Sequence, residues 1–175
     1  AEMREALQRD EIRLDYQPLV DAVDGSIAGA EALMRWTNAR LGTVAPGRFI
    51  PVAEDTGMII RLGDYALRTA IAQVRAWERE GGRAVPVSVN VSAWQFQRPE
   101  FIAEIEDALR SAGVAPGLLK IELTESTVMD DAEAAVEKMS RLKRLGVRIS
   151  LDDFGTGYSS LGYLRRLPID EIKID

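Results

Sequence analysis

Histidine and cysteine are both absent from this chain of 175 residues. Their absence removes most of the side chains used for nucleophilic and acid–base chemistry. Ser–His–Asp and Cys–His systems are excluded, as are the usual zinc centres, which draw on thiolate and imidazole. Any chemistry must come from carboxylates, lysine, arginine, amides and a hard, oxygen-bound metal ion. Without cysteine there is no disulfide framework, which fits a reducing compartment. No apolar run reaches the roughly 20 residues that a membrane-spanning helix needs. Positive charge is not in excess either: 22 Lys and Arg face 28 Asp and Glu, a net charge of −6. That balance argues against a surface for polymeric nucleic acid. It leaves room for a small anion held by a few local cations.

What remains is an ordinary globular composition, with 46% hydrophobic and 29% charged residues in a length that suits one domain. Residues 2–8 suit a short helix that reads as a connector from an upstream segment. Residues 12–20 have strand character and include Tyr16-Gln17-Pro18, Asp24-Gly25 marks a tight turn, and 27–36 form the next strand. The chain therefore opens on an antiparallel pair. From Pro46 it turns helical, and the longest helix is expected over 59–80, with Leu67, Ile71, Val74 and Trp77 along one face before Gly81-Gly82 stops it. Strands at 85–91, 119–124, 147–151 and 169–174 then alternate with helices at 100–111, 132–145 and 159–166. Such alternation implies a parallel sheet.

Alternate residues of a strand point to opposite faces, and here they sort cleanly. Ser88 and Asn90 oppose Val87 and Val89; Lys120 and Glu122 oppose Leu119, Ile121 and Leu123; Arg148, Ser150 and Asp152 oppose Val147, Ile149 and Leu151. Glu171, Lys173 and Asp175 oppose Ile172 and Ile174, and Glu31, Leu33 and Arg35 share one face. Strands buried on both sides of a doubly wound sheet are apolar on both faces. One polar face per strand instead fits a TIM-like barrel whose interior opens into a site at the strands' C-terminal ends. An open sheet with one exposed face is the alternative.

Glu31, Asn90, Glu122, Asp152, Asp153 and Lys173 gather near those strand ends. Carboxylates and an amide oxygen are hard ligands, suited to Mg²⁺ or Mn²⁺. Converging acids repel and raise one another's pKa unless a cation holds them. Asp152 and Asp153 can serve one site only if the chain turns out of the strand between them, and Gly155 and Gly157 would make the following loop pliable. Taken singly, the acids could form a solvated turn, Asn90 a structural cap and Lys173 a surface ion pair. Asp153-Phe154-Gly155 also mimics the metal-binding tripeptide of protein kinases, but neither the glycine-rich loop nor the catalytic-loop histidine accompanies it.

Six ordered motifs carry a resemblance along the whole chain: Tyr16-Gln17-Pro18, Glu31-Ala32-Leu33 with Met34-Arg35-Trp36, Phe49-Ile50-Pro51-Val52-Ala53-Glu54, Val89-Asn90-Val91-Ser92, Glu122-Leu123-Thr124-Glu125, and Asp152-Asp153-Phe154-Gly155-Thr156-Gly157. Ile172-Lys173-Ile174-Asp175 completes the series. The chain resembles the EAL-domain family of cyclic di-GMP phosphodiesterases. That resemblance implies an α/β, TIM-like (β/α)8 barrel with an antiparallel first strand. It implies metal-dependent hydrolysis of cyclic di-GMP to the linear dinucleotide pGpG, with two Mg²⁺ or Mn²⁺ ions. Glu31, Asn90, Glu122, Asp152 and Asp153 would hold the metals, Asp152 bridging both and Asp153 holding the second. Lys173 would contact the hydrolytic water. Gln17, Leu33, Arg35 and Asn90 would contact the dinucleotide, Arg35 by pairing with phosphate. Glu125 would anchor the 153–157 loop, which in the family links dimer contacts to the site. Asp175 is a weaker candidate, because it could belong to an ion network with Arg148 and Lys120. The alternative activity is a receptor that binds cyclic di-GMP without hydrolysing it. A purely structural interaction domain is a third reading.

The resemblance further implies a cytoplasmic bacterial signalling protein, a homodimer, fused to an upstream sensory or GGDEF domain that could itself be membrane-anchored. Family barrels continue past this last strand with a further catalytic Glu and a Gln. Residues 1–175 are accordingly expected to be a C-terminally incomplete EAL domain supplying about the first six strands. Expressed alone, they are expected to aggregate through unpaired strand edges or to be inactive.

Overall fold

A computed structural model of the chain describes residues 2–82, 84–155 and 164–174. A short helix α1 (Glu2–Ala6) leads into the antiparallel hairpin of β1 (Ile12–Val20) and β2 (Ile27–Asn38). The Asp21 and Asp24 carboxylates accept the backbone N–H groups of Val23 and Ser26, and Gly25 takes a φ of +73°, so the Asp-Gly turn forms where the sequence marks it. A three-residue strand β3 (Gly42–Val44) folds back on β2, followed by helices α2 (Pro46–Asp55) and α3 (Met58–Arg79). From there strands and helices alternate: β4 (Val87–Asn90), α4 (Ala93–Gln97), α5 (Phe101–Ala112), β5 (Leu119–Thr124), α6 (Glu125–Met129), α7 (Ala132–Leu145), β6 (Arg148–Asp152) and β7 (Glu171–Ile172). The main path of the sheet is β1-β2-β4-β5-β6-β7, antiparallel only at its first step. This is the arc of a TIM-like barrel, and among the described residues its two end strands are not paired with each other.

The outer strand faces and the helices make the core. Val87, Val89, Leu119, Ile121, Leu123, Ile149 and Leu151 pack in one cluster with Ala70, Ile71 and Val74 of α3, Phe101 and Ile105 of α5, and Met139 and Leu142 of α7. Full burial of each such aliphatic side chain contributes about 1.5–3 kcal/mol. The opposite strand face decides between the barrel and the open sheet. Ser88, Lys120, Glu122 and Ser150 are all buried, at 1%, 8%, 1% and 0% exposure, so the polar face is an interior. No helix among the described residues is long and apolar enough to cross a membrane.

Two short helices escape the sequence pattern. Five residues are too few to display a helical period, and α4 and α6 are instead set by their caps. Ser92 forms a capping box with Gln95, and Thr124 accepts the N–H of Thr127. The last strand is shorter than the expected 169–174. At its start the carboxylate of Asp170 accepts the Ile149 N–H at 2.8 Å in place of a backbone acceptor, while the Asp170 and Lys173 N–H groups still donate to the Ile149 and Leu151 carbonyls on either side of Glu171–Ile172. The expected helix at 159–166 falls largely outside the described residues, as do Thr156, Gly157 and Asp175.

Asp170 also pairs with Lys143. Partial burial opposes its charge, but Lys143 and the Ile149 N–H outweigh that and hold its pKa below the usual carboxylate value. A depressed folded pKa contributes stability above the unfolded pKa and loses it as pH falls through the folded one. Asp170→Ala should therefore cost about 1–2 kcal/mol at pH 7, the Lys143 part being screened by solvent. In urea titrations that difference should shrink below about pH 4, where the unfolded aspartate titrates; a deficit that persists at low pH would exclude the charge as its source.

Candidate active site

The site is built from the inward residues of successive strands. Cross-strand register places Glu31 of β2 beside Ser88, Asn90 of β4 beside Glu122 of β5, and Asp152 of β6 beside Thr124. Lys173 follows β7, its backbone N–H donating to the Leu151 carbonyl at 2.8 Å. Its ammonium donates to Glu122 Oε2 at 2.9 Å, Asp152 Oδ2 at 3.0 Å and Glu31 Oε2 at 3.3 Å. The Asn90 amide donates to the other Glu31 oxygen at 3.0 Å. Five residues separated by up to 142 positions thus converge on one point.

The electrostatics follow from burial. Burial works against a charged Lys173, but Glu122, Asp152 and Glu31 overcome it and push its pKa above the ordinary lysine value. Lys173 therefore stays an ammonium, a donor and not a base. Burial raises the pKa of Glu122, with the Glu31 charge adding to it and Lys173 opposing. The second oxygen of Glu122 is fully buried and has no hydrogen-bond partner among the described residues. Among those residues no three acidic groups form a tight metal cage by themselves; what gathers them is the Lys173 ammonium. The donors are nevertheless hard oxygens gathered around one positive charge, which fits Mg²⁺ or Mn²⁺ in donor type.

Asp153 takes a φ of +56°, so the chain does turn out of the strand immediately after Asp152. Its N–H caps Asp152 Oδ1 at 2.9 Å, while its side chain is exposed and is not one of the acids on Lys173. Glu125, buried at the start of α6, accepts the Gly155 N–H at 3.1 Å and ties down the beginning of that turn. Gln17 lies opposite Glu31 in the β1–β2 register, and Asp15 opposite Leu33. Arg35 is partly buried and pairs with Asp15 at 3.2 Å. The sequence pattern offers no sign of that pairing, because it crosses strands. Lys120 pairs with Glu171 and Arg148 is exposed; the network expected of them with Asp175 lies partly outside the described residues.

A cleft of about 330 Å³ adjoins the acidic cluster, within the range of small-molecule sites. It shares Asn90 and Glu122 with the cluster and is walled by Leu33, Arg35, Glu54 and Gln95. Sequence reasoning gives Glu54 no role beyond closing the Phe49–Glu54 motif and misses Gln95, although the Ser92-x-x-Gln95 capping box is a readable signal for it. Gln95 packs onto Gly63 of α3 so tightly that a Cβ there would lie 1.9 Å from its amide nitrogen. Gly63→Ala must therefore expel the buried Gln95 side chain, break the capping box and reshape the cleft wall. The expected cost is about 1–3 kcal/mol, read as a lower melting temperature; an unchanged melting temperature would show that Gln95 relocates freely.

The arc thus gathers carboxylates, an amide and a lysine at its strand ends, where TIM-like barrels carry their active sites. The sequence matches the EAL domain model over residues 1–175. The chain belongs to the EAL domain family. It is 44% identical over 174 residues to the bifunctional diguanylate cyclase/cyclic di-GMP phosphodiesterase MucR of Pseudomonas aeruginosa, covering 99% of this chain and 25% of that protein. It is 42% identical over 174 residues to the cyclic di-GMP phosphodiesterase NbdA of the same organism, covering 99% of this chain and 22% of that one. This chain thus spans about a quarter of the length of these curated relatives. Among solved structures, the PaMucR phosphodiesterase in complex with c-di-GMP superposes with a TM-score of 0.95 at 44% identity, over 99% of this chain and 70% of that one.

Proposed function

We propose that this domain hydrolyses cyclic di-GMP to the linear dinucleotide pGpG with Mg²⁺ or Mn²⁺. Water adds across one of the two phosphodiester bonds, leaving a terminal phosphate and a free hydroxyl. The observation that carries this reading is the convergence of Glu31, Glu122 and Asp152 on Lys173, with Asn90 fixing Glu31. Glu31, Asn90, Glu122 and Asp152 would hold two ions, with Asp153 contributing from the turn. Bound ions would lower the pKa of a water and offset charge at the phosphate.

The chain's own residues do the rest. Lys173, kept protonated by its neighbours, orients the attacking water as a hydrogen-bond donor. Arg35, held by Asp15, presents a guanidinium to a phosphate oxygen. Gln17, Leu33 and Asn90 position the dinucleotide beside the acids, and the adjoining cleft excludes water from one side. Glu125 keeps the beginning of the turn after Asp152 in place. A homodimer, a cytoplasmic location and an upstream sensory or GGDEF domain belong to the same reading. Of these, the further domain is supported by relatives about four times as long, one of them named as a bifunctional cyclase and phosphodiesterase.

The test is turnover by the full-length protein with Mg²⁺ or Mn²⁺, followed by chromatography of the nucleotides. Appearance of pGpG supports the proposal. Binding of cyclic di-GMP without product at any metal concentration would make the domain a receptor instead.

A further inference from the structure

Beneath the acidic cluster the barrel interior holds three polar atoms with no hydrogen-bond partner among the described residues: Ser88 Oγ, Ser150 Oγ and Glu122 Oε1. Their residues are 1%, 0% and 1% exposed. They are neighbours by register. Ser150 of β6 is the direct cross-strand partner of Glu122, while Ser88 of β4 lies diagonal to Glu122, opposite Lys120. The Ser88 hydroxyl is near enough to favour the charged form of Glu122, yet it makes no direct hydrogen bond to it. Lys120, two residues before Glu122 on β5, and Glu171 of β7, the cross-strand partner of Ser150, form an ion pair that crosses β6. Charged groups therefore flank the three atoms both at the acidic cluster and at this ion pair.

Three such atoms left unsatisfied would each cost about 1–3 kcal/mol, too much to concentrate at one point without compensation. A buried water needs two to four polar partners, and these atoms supply three. Each serine hydroxyl can donate to the water, and the water can donate to Glu122 Oε1 and keep a second hydrogen for a further acceptor. We propose that Ser88 and Ser150 are positioning residues that hold a buried water against Glu122, fixing its carboxylate from below while its other oxygen faces the site. The role in positioning rests on the reading of Glu122 as a metal ligand; the water itself does not.

The test compares the full-length protein with its Ser88→Ala/Ser150→Ala double variant, using Mn²⁺ alone as the probe. High-resolution diffraction of the wild type should show an ordered water within hydrogen-bond distance of all three atoms. Calorimetric titration should show Mn²⁺ affinity about tenfold weaker in the variant, as for other groups that orient metal ligands, and its melting temperature should not rise. A dry site predicts the opposite sign: removing two orphaned hydroxyls would raise the melting temperature. A dry map or a raised melting temperature would overturn the water, and an unchanged Mn²⁺ affinity would overturn the positioning role. If the wild type binds no Mn²⁺, the functional reading falls, while density and melting still decide the water site.

Discussion

Lys173→Met is expected to lower stability by about 3 kcal/mol at pH 7, the low end of the cost of stripping one partner from a buried ion cluster. The side chain is 26% exposed, so some of its charge is already answered by solvent. Three carboxylates lose their common counter-ion, and one of them, Glu122, has a fully buried side chain. A loss of that size is a large part of the 5–15 kcal/mol that holds a typical domain together. Turnover should fall by about 10²–10⁴, the scale of a lost positioning donor or proton-transfer group. Divalent ions give the result its specificity. If the acids form the proposed metal site, Mn²⁺ at 100 times its dissociation constant should restore about 2.7 kcal/mol. Chemical denaturation with and without Mn²⁺ measures both effects, and a variant as stable as the wild type in metal-free buffer would refute the counter-ion role.

Glu122→Gln should behave in the opposite way. Burial disfavours its charge, so an isosteric amide relieves a desolvation cost while giving up one Lys173 contact of 2.9 Å. The net change in stability should stay within about 1 kcal/mol. Turnover should nonetheless drop by about 10³ or more, because an amide cannot supply the charge a metal ion requires. In the Lys173→Met background the same substitution should recover part of the lost stability, since it removes one of the repelling acids. Such non-additivity is the signature of a shared cluster. Strictly additive effects in the double variant would mean that the two side chains do not interact in solution.

Much of this arrangement was legible before folding, for identifiable reasons. Period-two alternation in residues 119–124 separates Lys120 and Glu122 from Leu119, Ile121 and Leu123, and the structure places the first pair in the interior and the others in the core. The Asp-Gly turn and the antiparallel start followed from local chemistry alone. Less visible were features that depend on contact between distant segments. The Asp170 carboxylate takes the Ile149 N–H at the start of the last strand, 21 residues away in sequence. Arg35 meets Asp15 only because the hairpin register brings them together. Ser88 and Ser150 look like ordinary polar positions on a strand, and only the curvature of the sheet seals them beneath Glu122.

The most direct measurement is anomalous diffraction from crystals of the full-length protein grown with Mn²⁺ and cyclic di-GMP. The expected map has two manganese peaks at the strand ends, contacted by Glu31, Asn90, Glu122 and Asp152, with Lys173 beside a water on the phosphate. Bound dinucleotide with no manganese peak at these residues, or with manganese held elsewhere, would contradict the proposed site.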